Sequence, residues 1–131
     1  MNRFSYQALF TISLCALALA CSSAPTGPEA AIQEFYRYLN EGDYTRAMAQ
    51  YNSEARGIFE EPETAGESVF AEWARTETKN GRVDRVQVVQ EETSDERASV
   101  EYQIVYTDGT RSSRSVTLTH ESGEWKLGLI S

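Results

Sequence analysis

Apolar side chains recur along residues 28–79 with the spacing of helices. They fall three or four positions apart, which places them on one face of an amphipathic helix. Pro28 suits a first helical turn, Gly42 suits the left-handed residue that ends a helix, and Asp43 is a residue type that caps the next one. A third helix is predicted over about residues 67–79. The predicted apolar stripes are Ile32, Phe35, Tyr36 and Leu39; Tyr44, Ala47, Met48 and Tyr51; and Phe70, Trp73 and Ala74.

After Gly81 the apolar spacing changes to every second residue, which is the spacing of β-strands. Asp108-Gly109 lies between two such runs and predicts a two-residue hairpin of type I′, because that turn needs positive φ angles. Helices followed by strands predict an α+β domain over residues 28–131, with the N-terminal helices packed in the concave face of a curved, antiparallel, four-stranded sheet. The positions assigned to the strands are Val86 and Val88; Ala98, Val100, Tyr102, Ile104 and Tyr106; Val116, Leu118 and His120; and Trp125, Leu127 and Leu129.

Residues 1–20 have the pattern of an export signal. Arg3 supplies a positive start, the run that follows is almost entirely apolar, and small Ala20 comes just before Cys21. The apolar run is shorter than the roughly 20 residues that a membrane-spanning helix needs. Cleavage after residue 20 also removes Cys15, so Cys21 is left without an intrachain partner for a disulfide.

The residues that end at Cys21 read LALAC and resemble the lipobox of bacterial lipoproteins. The resemblance implies that Cys21 is linked to diacylglycerol, becomes the acylated first residue and anchors the chain to a membrane. Ala18 stands where these lipoproteins more often have leucine. Ser22 is not the aspartate that resembles an inner-membrane retention signal of enteric bacteria, so in an organism with two membranes the expected location is the outer membrane, facing the periplasm. Residues 21–27 are rich in serine, proline and glycine, which predicts a lipidated tether.

Charge and residue usage exclude several classes of function. The chain carries a formal net charge of -8 over 131 residues, which argues against nucleic acid as a partner. His120 is the only histidine, so a site with several histidine ligands is excluded. The sequence contains no phosphate-binding glycine loop, CxxC pair or HExxH motif. We therefore expect neither a metal nor a cofactor.

Three segments of the chain carry a family resemblance. They read FYRYLNEGDYTRAMAQY, ASVEYQIVYTDGT and GEWKLGLI, and they resemble small bacterial lipoproteins of the nuclear transport factor 2-like superfamily, which has the cystatin-like fold. The resemblance implies a cone of sheet and helices that often encloses a pocket. Relatives include ketosteroid isomerase, polyketide cyclases and scytalone dehydratase, alongside many domains without catalysis. The resemblance alone therefore leaves both enzyme and binding module open.

The candidate pocket residues are Tyr36, Tyr51, Trp73, Tyr102 and His120. The tyrosines fall on apolar stripes, where a tyrosine is more often part of the core with its hydroxyl at the rim. No serine, cysteine or aspartate can be placed beside the histidine, and no residue matches the base of an isomerase, so no catalytic residue is assigned. Arg111 and Arg114 are predicted to pair with acidic neighbours rather than to hold a ligand.

The favoured function is a membrane-anchored envelope lipoprotein whose domain serves binding or assembly without catalysis. The alternative is a small-molecule lyase or isomerase that uses the cone. The sequence leaves the partner open between another protein, a small apolar ligand and a second copy of the chain. A buried ionisable group in a cavity would separate the two functions, because catalysis needs one and a scaffold does not.

Overall fold

Four helices precede four strands in the part of the chain that the structure describes. The computed structural model describes residues 27–60, 66–79 and 81–131, so the predicted signal, Cys21 and most of the predicted tether lie outside it. No helix within these ranges is long and apolar enough to cross a bilayer. The helices are α1 (Pro28–Glu41), α2 (Tyr44–Ala49), α3 (Ser53–Glu60) and α4 (Gly66–Glu77).

The junction between α1 and α2 confirms the predicted capping. Gly42 adopts the left-handed conformation with φ of 69°, and its N–H donates to the carbonyl of Leu39. The Asp43 side chain accepts a hydrogen bond from the backbone N–H of Arg46 at 3.2 Å. The chain therefore reverses within two residues, and both helices present their apolar stripes to the same core.

Helix α3 was not among the three predicted helices. It has only eight residues and contains Gly57, a residue that disfavours helix interiors, although its apolar residues do fall on one face. Its start is set by Asn52, whose side-chain oxygen accepts a hydrogen bond from the N–H of Ala55 at 2.9 Å. Asn52 followed by Ser53 is a capping signal that could have revealed this helix.

The stripe of α4 agrees with the prediction at Phe70 and Ala74, which are buried.

The four-stranded antiparallel sheet confirms the predicted α+β class. Its strands follow one another in chain order across the sheet. Alternate side chains of the second strand, from Ala98 to Tyr106, are buried against the helices. On the opposite face, α3 lies only beside the end of the sheet near Arg97 and Thr119. The strands are β1 (Val83–Thr93), β2 (Arg97–Tyr106), β3 (Arg111–Glu121) and β4 (Glu124–Leu127).

The hairpin between β2 and β3 corrects the predicted type I′ turn. Gly109 has φ of 86°, but Asp108 is not among the residues with positive φ. The N–H of Gly109 donates to the carbonyl of Tyr106, and the N–H of Tyr106 donates to the carbonyl of Thr110, so the loop has three residues. Asp108 keeps its negative φ because its carboxylate accepts a hydrogen bond from the Thr110 N–H at 2.8 Å, an Asx turn.

The predicted alternation through Leu129 is wrong at the end of the chain. β4 pairs regularly up to Leu127, which lies opposite Leu118. Ser131 then pairs with Ser115, so the tail has one residue more than its partner strand. One extra residue in a strand moves the side chains that follow it to the opposite face of the sheet. Ile130 therefore packs against the core and Leu129 is exposed.

Candidate functional site: the tyrosine cluster inside the cone

Three tyrosines meet where the helices cover the sheet, and we call Tyr36, Tyr51 and Tyr102 the tyrosine cluster. Tyr36 comes from α1, Tyr51 from the segment after α2 and Tyr102 from β2, and each is at most 2% exposed. The hydroxyls of Tyr36 and Tyr102 lie 2.8 Å apart and form a hydrogen bond. These two phenols therefore satisfy each other inside the core, as buried tyrosine hydroxyls generally must.

Burial changes the acid–base properties of these phenols. It raises the pKa of Tyr36 well above the ordinary value of 10.0, and the pKa values of Tyr51 and Tyr102 are raised as well, chiefly by burial. Each hydroxyl therefore keeps its proton at neutral pH. A neutral phenol can donate a hydrogen bond, but it is a poor general base.

An ion pair between Glu77 and Arg114 flanks the cluster. Glu77 ends α4 and is 6% exposed, while Arg114 lies opposite Tyr102 in the sheet. The guanidinium binds the carboxylate through two hydrogen bonds, from Nη2 to Oε1 at 2.7 Å and from Nε to Oε2 at 3.3 Å. Nη1 donates to Ser112 Oγ and to the Ser113 carbonyl. This bidentate pair joins α4 to the sheet.

The two arginines singled out from the sequence behave differently. Arg114 pairs with a carboxylate as predicted, although the partner comes from a helix and not from a neighbouring strand. The prediction is wrong for Arg111, whose Nη1 donates to the side-chain oxygens of Gln87 and Gln103. Glu77 was missed by the sequence reasoning. It lies seven residues after Phe70, so a carboxylate on the inward stripe of α4 was the signal that could have found it.

The other two candidate residues, Trp73 and His120, lie in different surroundings. Trp73 is half-buried, and its ring centre is 6.0 Å from that of Phe35 and 5.7 Å from that of Phe70. His120 is exposed, and its ring packs on Trp125 with the ring centres 5.0 Å apart. The structure thus brings the three tyrosines together with Glu77 and Arg114, and it does not place the histidine among them.

Two cavities lie outside the tyrosine cluster. One of about 450 Å³ lies on the face of the sheet opposite the core. Another of about 320 Å³ lies between α1 and β1, where Arg37 and Arg85 contribute to its walls. Within residues 27–60, 66–79 and 81–131, no three His, Cys, Asp or Glu side chains are grouped so that they could hold a metal ion.

Replacing Glu77 with glutamine is expected to lower the free energy of unfolding by about 1–3 kcal/mol. The change leaves the partly buried Arg114 guanidinium without its counter-charge, which destabilises the folded state. Because part of the Arg114 side chain is exposed to water, this loss of stability is smaller than for a fully buried ion pair. Urea denaturation of the full chain measures the effect. Glu72→Gln, on the exposed side of the same helix, is the matched control, and equal losses in the two variants would contradict the role of the pair.

An antiparallel sheet with helices packed in its concave face defines the nuclear transport factor 2-like (NTF2-like) fold, and two solved structures share it. A Campylobacter jejuni protein provisionally named an NTF2-like transpeptidase matches with a TM-score of 0.60 and 17% identity, covering 79% of this chain and 99% of its own. A SEC-C motif containing protein from Rhodopseudomonas palustris matches with a TM-score of 0.56 and 18% identity, covering 79% of this chain and 77% of its own. At such identities the likeness shows the fold alone.

Residues 20–128 match the family described as "Domain of unknown function (DUF4878)", and the chain belongs to that family. No curated protein matches the sequence. The fold predicted from the three sequence segments is confirmed.

Proposed function

We propose that this protein is a lipid-anchored module of the bacterial cell envelope, and that its domain binds a partner without catalysing a reaction. The observation that carries the non-catalytic part is the hydrogen bond between the buried Tyr36 and Tyr102 hydroxyls. A catalytic cone needs an acid or base that is free to act on a substrate. Here the two hydroxyls bind each other instead.

The state of the charged groups supports the same proposal. Glu77 flanks the cluster, and both of its carboxylate oxygens accept hydrogen bonds from Arg114. A carboxylate whose two oxygens are both engaged in this way is a poor candidate for contacting a substrate. Binding to the outer surface of the domain is therefore favoured over chemistry inside it.

The anchored part of the proposal rests on the LALAC segment that ends at Cys21, which lies outside the described residues. Residues 22–27 span at most about 20 Å when fully extended. A lipid on Cys21 would thus hold the start of α1 close to a membrane surface. A domain in that position can meet partners in the membrane and in the envelope space beside it.

Replacing Cys21 with serine in the full chain is expected to abolish incorporation of a fatty-acid analogue in a bacterial host. The variant lacks the thiol that would be alkylated, so neither cleavage nor acylation of the mature end can proceed. Gel fluorescence after coupling a dye to the analogue measures the label. Cys15→Ser is the matched control and should label like the wild type, because Cys15 lies in the predicted signal. Equal labelling of the Cys21→Ser variant would overturn the anchor.

A lyase or isomerase is the second candidate function, and one observation favours it. The Tyr51 hydroxyl forms no hydrogen bond among the described residues, and since no fully buried side-chain oxygen there lacks a partner, it reaches solvent and keeps a donor that a small ligand could use. Turnover assays of the full chain with enones, hydroxy-ketones and dehydration substrates separate the two functions. We expect no turnover. Turnover that Tyr51→Phe removes while the melting temperature is retained would establish the enzyme instead.

A further inference from the structure

The face of the sheet opposite the core contains a groove, which we call the outer groove. Its floor is formed by small hydroxyl side chains of β2 and β3, among them Ser99, Ser115 and Thr117. Longer side chains rise on both sides, Glu92 from β1 and Leu129 from the tail after β4. Short residues on the central strands between long residues at the edges leave a depression of about 450 Å³.

Two carboxylates at the outer groove have no counter-charge within the described chain. Glu92 and Glu101 both line it, both are exposed, and neither forms an ion pair or hydrogen bond through its side chain there. Arg97 is a diagonal neighbour of Glu92 on the same face but forms no ion pair with it, and Arg111 binds Gln87 and Gln103. Since the whole chain carries a net charge of -8, the middle of this face favours a positively charged ligand.

Apolar side chains accompany these carboxylates. Leu129 is 49% exposed at one wall, and Val89, which is 63% exposed, lines an adjoining cavity of about 310 Å³. The two cavities share Glu101 and Ser115, so they form one continuous surface along the sheet. Large hydrophobic side chains on a surface otherwise lined by polar groups are typical of a site that recognises a partner.

The edges of the sheet offer a poorer site for an extended partner. The register of β1 shifts twice along its pairing with β2, and such bulges disrupt the addition of another strand. The edge of β4 is already occupied, because Leu127 donates to the carbonyl of Gln50 and accepts from the N–H of Asn52. Among the described strands, the middle of the face opposite the core is therefore more accessible to a partner than either edge.

We propose that the outer groove binds an extended segment of a partner protein in which lysine or arginine residues alternate with apolar residues. The cations would meet Glu92 and Glu101, the apolar side chains would lie against Leu129 and Val89, and the hydroxyls of the floor would bind the peptide backbone. The inference rests on the proposed binding function and names the class of partner. Charge complementarity selects a basic segment over an acidic one.

A labelled peptide of alternating lysine and leucine tests the proposal by fluorescence anisotropy with the full chain in detergent. We expect binding that is roughly tenfold weaker in the double variant Glu92→Gln/Glu101→Gln, because two exposed charge pairs are lost. Glu91→Gln is the matched control, since Glu91 pairs with inward-facing Val100 and does not line the groove. It should stay within about twofold of the wild type. All samples contain the same detergent, so partitioning of the peptide cancels in the comparison.

Several outcomes would overturn the proposal. The groove does not select a basic segment if the lysine–leucine peptide fails to bind. The same conclusion follows if Glu91→Gln weakens binding as much as the double variant, or if a peptide of alternating glutamate and leucine binds equally well. Complete competition by spermine would assign the groove to a small polycation. A dimer in sedimentation velocity that the double variant dissociates would assign it to a second copy of the chain. Fatty-acid labelling of Cys21 is a separate measurement, so failure of the anchor and failure of the groove are distinguishable.

Discussion

Replacing Phe70 with alanine is expected to lower the free energy of unfolding by about 3–5 kcal/mol, enough to unfold much of the population of a small domain. Phe70 is fully buried in α4. Its ring contacts aromatic rings from the rest of the helical layer at centre distances of 5.5–6.4 Å, namely Phe35, Tyr44, Tyr51, Phe59 and Trp73. Removing the ring takes a partner from every one of these contacts and leaves a cavity that the surrounding helices cannot fill.

Urea denaturation of the full chain measures the loss, and Val69→Ala is the control. Val69 is the neighbouring residue on the same helix and is 46% exposed, so its truncation should change the free energy of unfolding by less than about 1 kcal/mol. Trp73→Ala should fall between the two, because Trp73 is only half-buried. A larger loss for Trp73→Ala than for Phe70→Ala would show that the centre of the aromatic packing lies elsewhere.

Alkaline conditions are expected to destabilise the folded protein steeply above about pH 10. In the unfolded chain each phenol of the tyrosine cluster ionises near its ordinary pKa of 10.0, whereas burial holds the folded pKa higher. The folded state then binds more protons than the unfolded state, so this stabilisation is complete below pH 10 and decreases as pH rises through the folded pKa values. Each tyrosine can contribute up to about 1.4 kcal/mol per pH unit.

Denaturation midpoints of the full chain across the alkaline range measure this effect. The double variant Tyr36→Phe/Tyr102→Phe should show a shallower decline than the wild type, because two of the three ionising groups are absent. It should also be less stable near neutral pH by about 0.5–1.5 kcal/mol, since one buried hydrogen bond is lost. Tyr44→Phe leaves the cluster intact and serves as the control. An unchanged alkaline slope in the double variant would mean that other groups cause the decline.

Local patterns in the sequence predicted most of the elements. The stripe from Ile32 to Leu39, the cap at Asp43 and the alternation of β2 depend on neighbouring residues, so their spacing was sufficient. Helix α3 and the exposure of Leu129 were not predicted. The first is a helix of only eight residues that contains Gly57, a residue that disfavours helices. The second depends on one extra residue in the tail, which only the pairing with Ser115 reveals.

The sequence by itself determined the α+β class, the order of helices and strands, and the candidate tyrosines. Only the tertiary structure decided which of those tyrosines form a hydrogen bond with each other. Tyr36 and Tyr102 are 66 residues apart in the chain, and Glu77 is 37 residues from Arg114. No periodicity links positions so distant, because such pairs are set by how α1 and α4 pack on the sheet. The outer groove is also a tertiary feature, since its walls come from β1 and the tail while its floor comes from the strands between them.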